Sequence, residues 1–376
     1  MIRINNIKLP VSFTDRDVDQ AVKKALKIKN VPSYRFSKLS LDDRKRNQVK
    51  YIASIDVDLP DEDGILKRLH NNNIMSTNPV EYKFPVSGNI PMHHRPIIIG
   101  TGPAGLFTAL YLARAGFRPI VFERGMDVDK RLALIESFWK DEKPLNSNCN
   151  VQFGEGGAGT FSDGKLNTVI KDGSGRRTEV LKTFVKYGAD PAITYINKPH
   201  IGTDVLSHIV KNIRQDIIRL GGEVRFESLF TGYEMISREE ADVHVRHLPS
   251  GEIHTYRTNA IVLALGHSSR DTMEMLYRSG IHMEQKPFAM GLRIEHKRSD
   301  IDVMKYGDSP EYRDLLPAAD YKLTHQASNG RAVYSFCMCP GGYVVNASSE
   351  EGRLCVNGMS YSGRDGENSN SAIVVN

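Results

Sequence analysis

The sequence predicts an α/β chain in three parts: a small α+β domain over residues 1–90, a βαβ domain over 91–280, and an inserted β-rich α+β domain over 281–376. Three observations predict it. Residues 1–86 read in the order β-α-β-β-α-β, the split pattern of ferredoxin-like α+β domains. From Ile97 an apolar strand runs through GTGPAG into a helix and on to a second apolar run. Beyond residue 281, segments such as FAMGLRIEH, AVYSFCMC, GYVVNA and RLCVNGM are strand-like.

Each element has its own signal. IRINNIKL reads as a strand, and DRDVDQAVKKALKI as a helix with Val18, Ala21, Val22, Ala25 and Leu26 on one face. SYRFSKLSL and QVKYIASIDVDL alternate like strands about a polar DDRKRN turn. EDGILKRLHNN reads as a helix and VEYKF as the last strand. SGNIPMHHRP, residues 87–96, is a linker. Then IIIG, the helix of AGLFTALYLARAG and the strand FRPIVFE form a βαβ unit, followed by helix and loop over 126–150 and a glycine-rich FGEGGAGTFSDGKL. TDVLSHIVKNIRQDIIRLGG is a helix that Thr203 or Asp204 would cap and Gly221-Gly222 would stop. EVRFES, DVHVRHL and HTYRT follow as strands at hairpin spacing, then the buried-type strand AIVLALG.

At 376 residues, with 40% hydrophobic and 25% charged residues, the composition is that of an ordinary soluble globular protein. No apolar run approaches the roughly 18 residues that would span a membrane, and MIRINNIKLP has no signal-peptide core. Four cysteines in a chain of this length make no disulfide scaffold, so a cytoplasmic setting is expected. Residues 1–90 hold 16 Lys and Arg against 11 Asp and Glu, and the remainder holds 34 of each, so the whole net charge of +5 lies in the first domain. That charge, with Tyr34, Phe36 and Tyr51 on strands, raises an RNA-associated alternative. The same rings suit packing against helices, and Arg44-Lys45-Arg46 reads as a solvated turn, so nucleic acid is not the expected partner.

The strongest motif is G100-T-G102-P-A-G105. Gly100 permits the turn out of the strand, Gly102 lets backbone approach a diphosphate, and Gly105 lets the helix pack on the sheet. The helix N-terminus points its free N–H groups at the phosphates. Glu123 follows Gly100 by 23 residues, a spacing suited to accepting ribose hydroxyls and hostile to a 2′-phosphate. The domain is therefore expected to be Rossmann-like.

GPAG, the apolar helix and the ERG after the second strand resemble the FAD-binding flavoproteins of the glutathione reductase and p-hydroxybenzoate hydroxylase superfamily. Within it, IGTGPAGLFTALYLARAG, VQFGEGGAGTFSDGKLNT, PHIGTD, LALGHSSRDT, KPFAMGLRIEH and SFCMCPGG resemble the FAD-dependent dehydrogenases described as NAD(FAD)-utilising, over nearly the whole chain. The resemblance implies an FAD-dependent oxidoreductase acting on a small molecule that it does not identify. It implies FAD contacts at Gly100, Gly102, Pro103, Ala104, Gly105, Glu123 and Arg124. Gly157, Ala158, Gly159 and Thr160 would run beside the ribityl or diphosphate, with Ser162 and Lys165 as polar contacts. Leu229, Ala264 and Gly266 complete the set, the last two near the adenosine half.

Two features depart from the superfamily. There is no second dinucleotide fingerprint and no CxxC or CxxxxC pair, so NAD(P)H as electron donor would act without a recognisable motif. The superfamily's late Gly-Asp pair has no counterpart either, because Gly307-Asp308 follows Lys305-Tyr306 rather than an apolar strand. With SAIVVN reading like the middle of an element, a shortened chain with an incomplete flavin site is expected, and a non-catalytic FAD-binding unit is the alternative.

His200 and His267 are flavin-side candidates, since a protonated imidazole stabilises a reduced flavin anion. Lys286, Arg293, Glu295 and His296 are candidates to line a substrate pocket. A regular strand would put Cys337 and Cys339 on one face about 7 Å apart, too far for an unstrained disulfide. They are expected as small buried hydrophobes, and no metal is expected.

Overall fold

The computed structural model describes residues 1–168 and 170–376. The N-terminal part runs β1 (Ile2–Leu9), α1 (Asp15–Leu26), β2 (Tyr34–Asp42), β3 (Lys50–Val57), α2 (Glu62–Leu69) and β4 (Ile74–Ser76). Its sheet has the order β2-β3-β1-β4 with every neighbour antiparallel. Helix α1 starts where the Asp17 carboxylate accepts the Thr14 N–H at 2.8 Å, and it stops at Lys27, whose φ is 55°. Val18, Val22 and Leu26, four residues apart, form the stripe that is buried over Ile4, Ala53 and Ile55.

The last strand is Ile74–Ser76, paired with Ile2–Ile4, and not the VEYKF expected. Pro79 and Pro85 bracket VEYKF. Its Phe84 ring packs on Tyr111, 4.6 Å between centroids, so the segment straps the next domain instead of joining a sheet.

The second part contains β5 (Ile97–Ile99), α3 (Pro103–Arg114), β6 (Ile120–Phe122), α4 (Val128–Trp139), α5 (Arg176–Lys186), α6 (Thr203–Arg219) and β7 (Glu223–Arg225). It continues with β8 (Ser228–Met235), β9 (Ala241–His247), β10 (Ile253–Thr258), β11 (Ile261–Leu263) and α7 (Arg270–Arg278). Strands β11-β5-β6-β7 form a parallel sheet in that order. Successive side chains alternate faces, so Ile98 and Val121 pack against α3 and α6, while Ile97, Ile99 and Phe122 pack against Phe230, Val243 and Leu276. Burying each such side chain contributes about 1.5–3 kcal/mol.

EVRFES is not one hairpin strand: the chain turns at Glu227 (φ 51°), so 223–225 joins the parallel sheet and β8 begins the antiparallel sheet β10-β9-β8. The cap of α6 is Gly202 rather than Thr203 or Asp204. The Asp204 carboxylate instead accepts the Ser362 N–H at 2.8 Å.

The C-terminal part is β12 (Met290–Lys297), α8 (Arg298–Tyr306), α9 (Pro310–Leu315), β13 (Thr324–Gln326), β14 (Ala332–Cys339), β15 (Tyr343–Asn346), β16 (Val356–Met359) and β17 (Asn368–Val375). Strands β12-β17-β14-β13 form an antiparallel sheet, and β15-β16 a hairpin. SAIVVN thus contributes to β17, between β12 and β14. Helix α8 interrupts the strand-rich reading and carries Tyr306 into a cluster with Val49 and Ala319. Strand β14 bulges between Phe336 and Cys339, with Cys337 at φ 45°. The bulge breaks the alternation, so Cys337 is exposed and Cys339 buried, contrary to the shared face expected.

The N-terminal domain touches both other parts. Leu39 exchanges backbone hydrogen bonds with Tyr195 (2.8 Å) and Asn197 (2.9 Å), and Lys305 pairs with Asp43 at 3.1 Å. Tyr195 stacks on Phe36 at 5.3 Å, and Tyr51 meets Phe13 at 5.4 Å, so these rings serve packing. Among the described residues, no helix is long and apolar enough to cross a membrane.

Candidate functional site

A cleft of about 570 Å³ opens at the C-terminal ends of β5, β6 and β11, bounded by Ile99, Phe122 and Leu263. In open parallel sheets this is where ligands sit. Its floor is the turn Gly100–Ala104 and the loop Gly157–Gly159. Its walls are Glu123–Arg124, Gln152–Gly154, Ser228–Phe230, Leu263–Ser269 and the inner side of α7.

The glycines divide the work as their positions require. Gly105 packs so close beneath the turn that a Cβ there would strike the Gly100 carbonyl oxygen. Gly102 is different: its backbone is ordinary (φ −66°, ψ −179°), and the nearest atom to an added Cβ is the Gly157 Cα at 4.0 Å. A methyl group there would collide with nothing in the protein and would occupy the cleft floor. Gly157, at φ 65°, has its own Cβ position 3.0 Å from the Gly102 Cα, so two glycine loops meet. Pro103 opens α3 and has no N–H, leaving the Ala104 and Gly105 amides without partners inside the helix. Close backbone, free amides and the positive end of a helix dipole make a cradle for a diphosphate.

The acid of the motif takes another role from the one expected. Glu123 is 5% exposed. Its Oε2 accepts the Thr101 N–H (2.9 Å) and hydroxyl (2.7 Å), and its Oε1 accepts the N–H groups of Gly125 (2.9 Å) and Gly154 (3.1 Å). A carboxylate offers about four acceptor sites, so these donors fill it. Glu123 lines the cleft, but its hydrogen bonds knit three loops rather than await a ribose. Beside it, Arg124 lies over the Phe153 ring at 4.6 Å and pairs with Asp271, and its Nε is buried without a partner. Burial works to raise the Asp271 pKa, yet the Arg124 guanidinium holds that carboxyl below its usual range.

The wall behind these loops is organised by Arg131, which no motif reading singled out. It is fully buried and donates to the carbonyls of Asn150 (3.0 Å), Val151 (2.9 Å), Gly154 (3.3 Å), Glu155 (2.6 Å) and Gly157 (3.0 Å). Its guanidinium also lies 4.7 Å over the Phe161 ring. Burial pushes its pKa down to about 10, which still leaves it charged near neutrality. Glu155, wholly buried, accepts the Val128 N–H (2.8 Å) and Arg214 Nε (2.7 Å), and burial raises its pKa. One sequence signal was available: Val128, Arg131 and Ile135 share the buried stripe of α4, an odd place for an arginine.

Of the residues expected at the cofactor, Gly100, Gly102, Pro103, Ala104, Glu123, Arg124, Gly157, Ala158, Gly159, Leu229, Ala264 and Gly266 line this cleft, as does His267. Gly105 and Thr160 lie behind it. Thr160 is fully buried under Gly156, with a hydroxyl that has no partner. Ser162 and Lys165 do not reach the cleft as polar contacts. The Ser162 hydroxyl donates to the Gly159 carbonyl at 2.7 Å, and Lys165 turns to Asp163 (2.8 Å) and the Met338 carbonyl. His200 belongs with them, its Nε2 3.1 Å from the Ser362 carbonyl, and burial and Arg364 push its pKa down. Lys286 and Glu295 are exposed, whereas Arg293 and His296 are half-buried and stand apart from the cleft.

Residues 287–376 match the family model described as FAD-dependent protein, C-terminal domain-like. An "Uncharacterized protein" of Clostridium beijerinckii is 48% identical over 380 residues, covering 100% of this chain and 69% of that protein. Among solved structures, the flavoprotein/dehydrogenase of Cytophaga hutchinsonii is 11% identical, with a TM-score of 0.37 over 75% of this chain and 56% of its own. The anhydrotetracycline hydroxylase OxyS of Streptomyces rimosus is 14% identical, with a TM-score of 0.33 over 75% of this chain and 44% of its own. The chain therefore spans about half the length of those two structures. By its identity across the whole chain it belongs to the family of the Clostridium beijerinckii protein, and its residues 287–376 resemble the C-terminal domain of FAD-dependent proteins.

Proposed function

We propose that the chain is an FAD-dependent oxidoreductase: a Rossmann-like FAD-binding domain with an inserted β-rich domain, preceded by a ferredoxin-like domain. The observation that carries this is the cradle where Gly102 faces Gly157 at the N-terminus of α3, at the carboxyl ends of parallel strands. Gly102, Ala104 and Gly157–Gly159 would hold the diphosphate. Arg124, Leu229, Ala264 and Gly266 would line the rest of the cofactor's path. Bound FAD supplies hydride and electron transfer, and the protein's part is to hold it and choose its partner. Glu123 and Arg131 do this at one remove, by fixing the loops before the cofactor arrives. The substrate is a small molecule, and NAD(P)H is the candidate donor. The match of residues 287–376 to an FAD-dependent family supports the cofactor assignment.

The test is the visible spectrum of the purified chain. The expected result is a flavin spectrum that NADH or NADPH bleaches without oxygen. A folded but colourless chain that takes up no added FAD overturns the assignment.

A further inference from the structure

The bulge of β14 sits where two cations from distant parts of the chain converge. Arg293, from β12, donates to the Cys337 carbonyl at 3.2 Å, and Lys165, from the loop after Gly157–Gly159, donates to the neighbouring Met338 carbonyl. Arg364 adds a third positive charge through its pair with Asp163. The carboxylate that pairs with Lys165 and Arg364 is fully engaged. Asp163 is 3% exposed and takes Ser360 Oγ (2.7 Å), Arg364 Nε (3.0 Å) and Lys165 Nζ (2.8 Å).

Arg293 is the uncompensated member. Its partners are neutral, the Cys337 carbonyl and the amide oxygens of Asn370 (2.6 Å) and Asn357 (3.5 Å), and among the described residues no carboxylate pairs with it. Its Nε is buried with no partner, and so is Nδ2 of Asn370, a residue with no exposure at all. A half-buried cation without a counter-ion is unfavourable, and a bound anion relieves it. Beside them the left-handed backbone at Cys337 leaves that residue exposed. Burial raises the pKa of this thiol, Lys165 and Arg293 act to lower it, and Asp163 acts to raise it.

We propose that Lys165 and Arg293, flanking the Cys337 bulge, form an anion-binding corner that takes the carboxylate of the small-molecule substrate. That the anion belongs to a substrate rests on the flavoenzyme reading above, whereas the binding of an anion does not.

Cys337 is a built-in reporter. Iodoacetate carries a carboxylate and iodoacetamide does not, and the same thiolate attacks either reagent and displaces iodide, so the ratio of their rates cancels its ionisation. Cys355, also exposed, is the reference in the same molecule. Mass spectrometry of the full chain should give an iodoacetate-to-iodoacetamide ratio at Cys337 that is higher than at Cys355 by fivefold or more. Sodium sulfate should lower it more than sodium chloride of equal ionic strength. Removing one charge, by Lys165→Met or Arg293→Met, should lower it roughly fivefold, the order of one short-range unit-charge interaction in water. Lys165→Arg should restore it. Equal ratios at Cys337 and Cys355 in the unmodified chain overturn the proposal, with no variant needed. Because this readout needs no flavin, a colourless chain with a raised ratio loses the oxidoreductase reading and keeps the anion corner, and a flavin-loaded chain with equal ratios does the reverse.

Discussion

The cleft and the β14 corner are both rich in charge and handle it in opposite ways. At the cleft, Glu123 is saturated by four donors and Arg131 by five carbonyls, so these two charges are spent on fixing the loops, although the Arg124 Nε beside them has no partner. What faces the ligand's phosphates there is backbone and helix terminus. At the corner, Arg293 and Asn370 keep N–H groups that nothing satisfies. The difference teaches what each can recognise: the cleft a shape with phosphate at its centre, the corner a charge.

The comparison breaks most sharply at Arg131. Arg131→Met leaves five buried carbonyls without their donor and should destabilise the fold by about 3–5 kcal/mol, read as a lower denaturation midpoint. Arg131→Lys should recover part of this.

Next come two glycines of one motif with opposite outcomes. Gly105→Ala pushes a Cβ into the Gly100 carbonyl and should lower stability by about 1–3 kcal/mol. Gly102→Ala meets no protein atom closer than 4.0 Å. It should leave the melting temperature nearly unchanged while weakening FAD binding at least about tenfold, since overlap with a bound group costs about 1–3 kcal/mol. Equal effects at both glycines would mean that the cleft floor is not a ligand surface.

A smaller effect concerns acid. Burial works to raise the Asp163 pKa, but Arg364 and Lys165 hold it below the usual carboxylate range. A depressed folded pKa contributes stability that is present above the unfolded value of about 3.9 and is lost as pH falls through the folded one. Denaturation midpoints should therefore drop below about pH 4, and Asp163→Asn should flatten that drop. Smallest is Arg44→Ala: the Arg44–Asp42 pair is exposed at the β2–β3 turn, and its loss should not move the melting temperature measurably.

The legible features were those whose cause is local. GTGPAG announces its turn because three successive steric demands fall within six residues. Helices α1 and α6 show as apolar stripes capped by turn residues. Features with a distant cause were not legible. VEYKF has strand chemistry, but its Phe84 ring is claimed by Tyr111, and the split of EVRFES depends on which sheet captures each half. The roles of Glu123 and Arg131 depend on loops that arrive from residues 148–157. The bulge that exposes Cys337 is a pairing defect against β17, invisible in AVYSFCMC itself.

The most direct test of the central claim is a calorimetric titration of FAD into the cofactor-free chain beside its Gly102→Ala variant. The account predicts one FAD bound per chain, with affinity weakened at least about tenfold in the variant while both proteins melt alike. Equal affinities in the two proteins, or no binding to the folded unmodified chain, would contradict it.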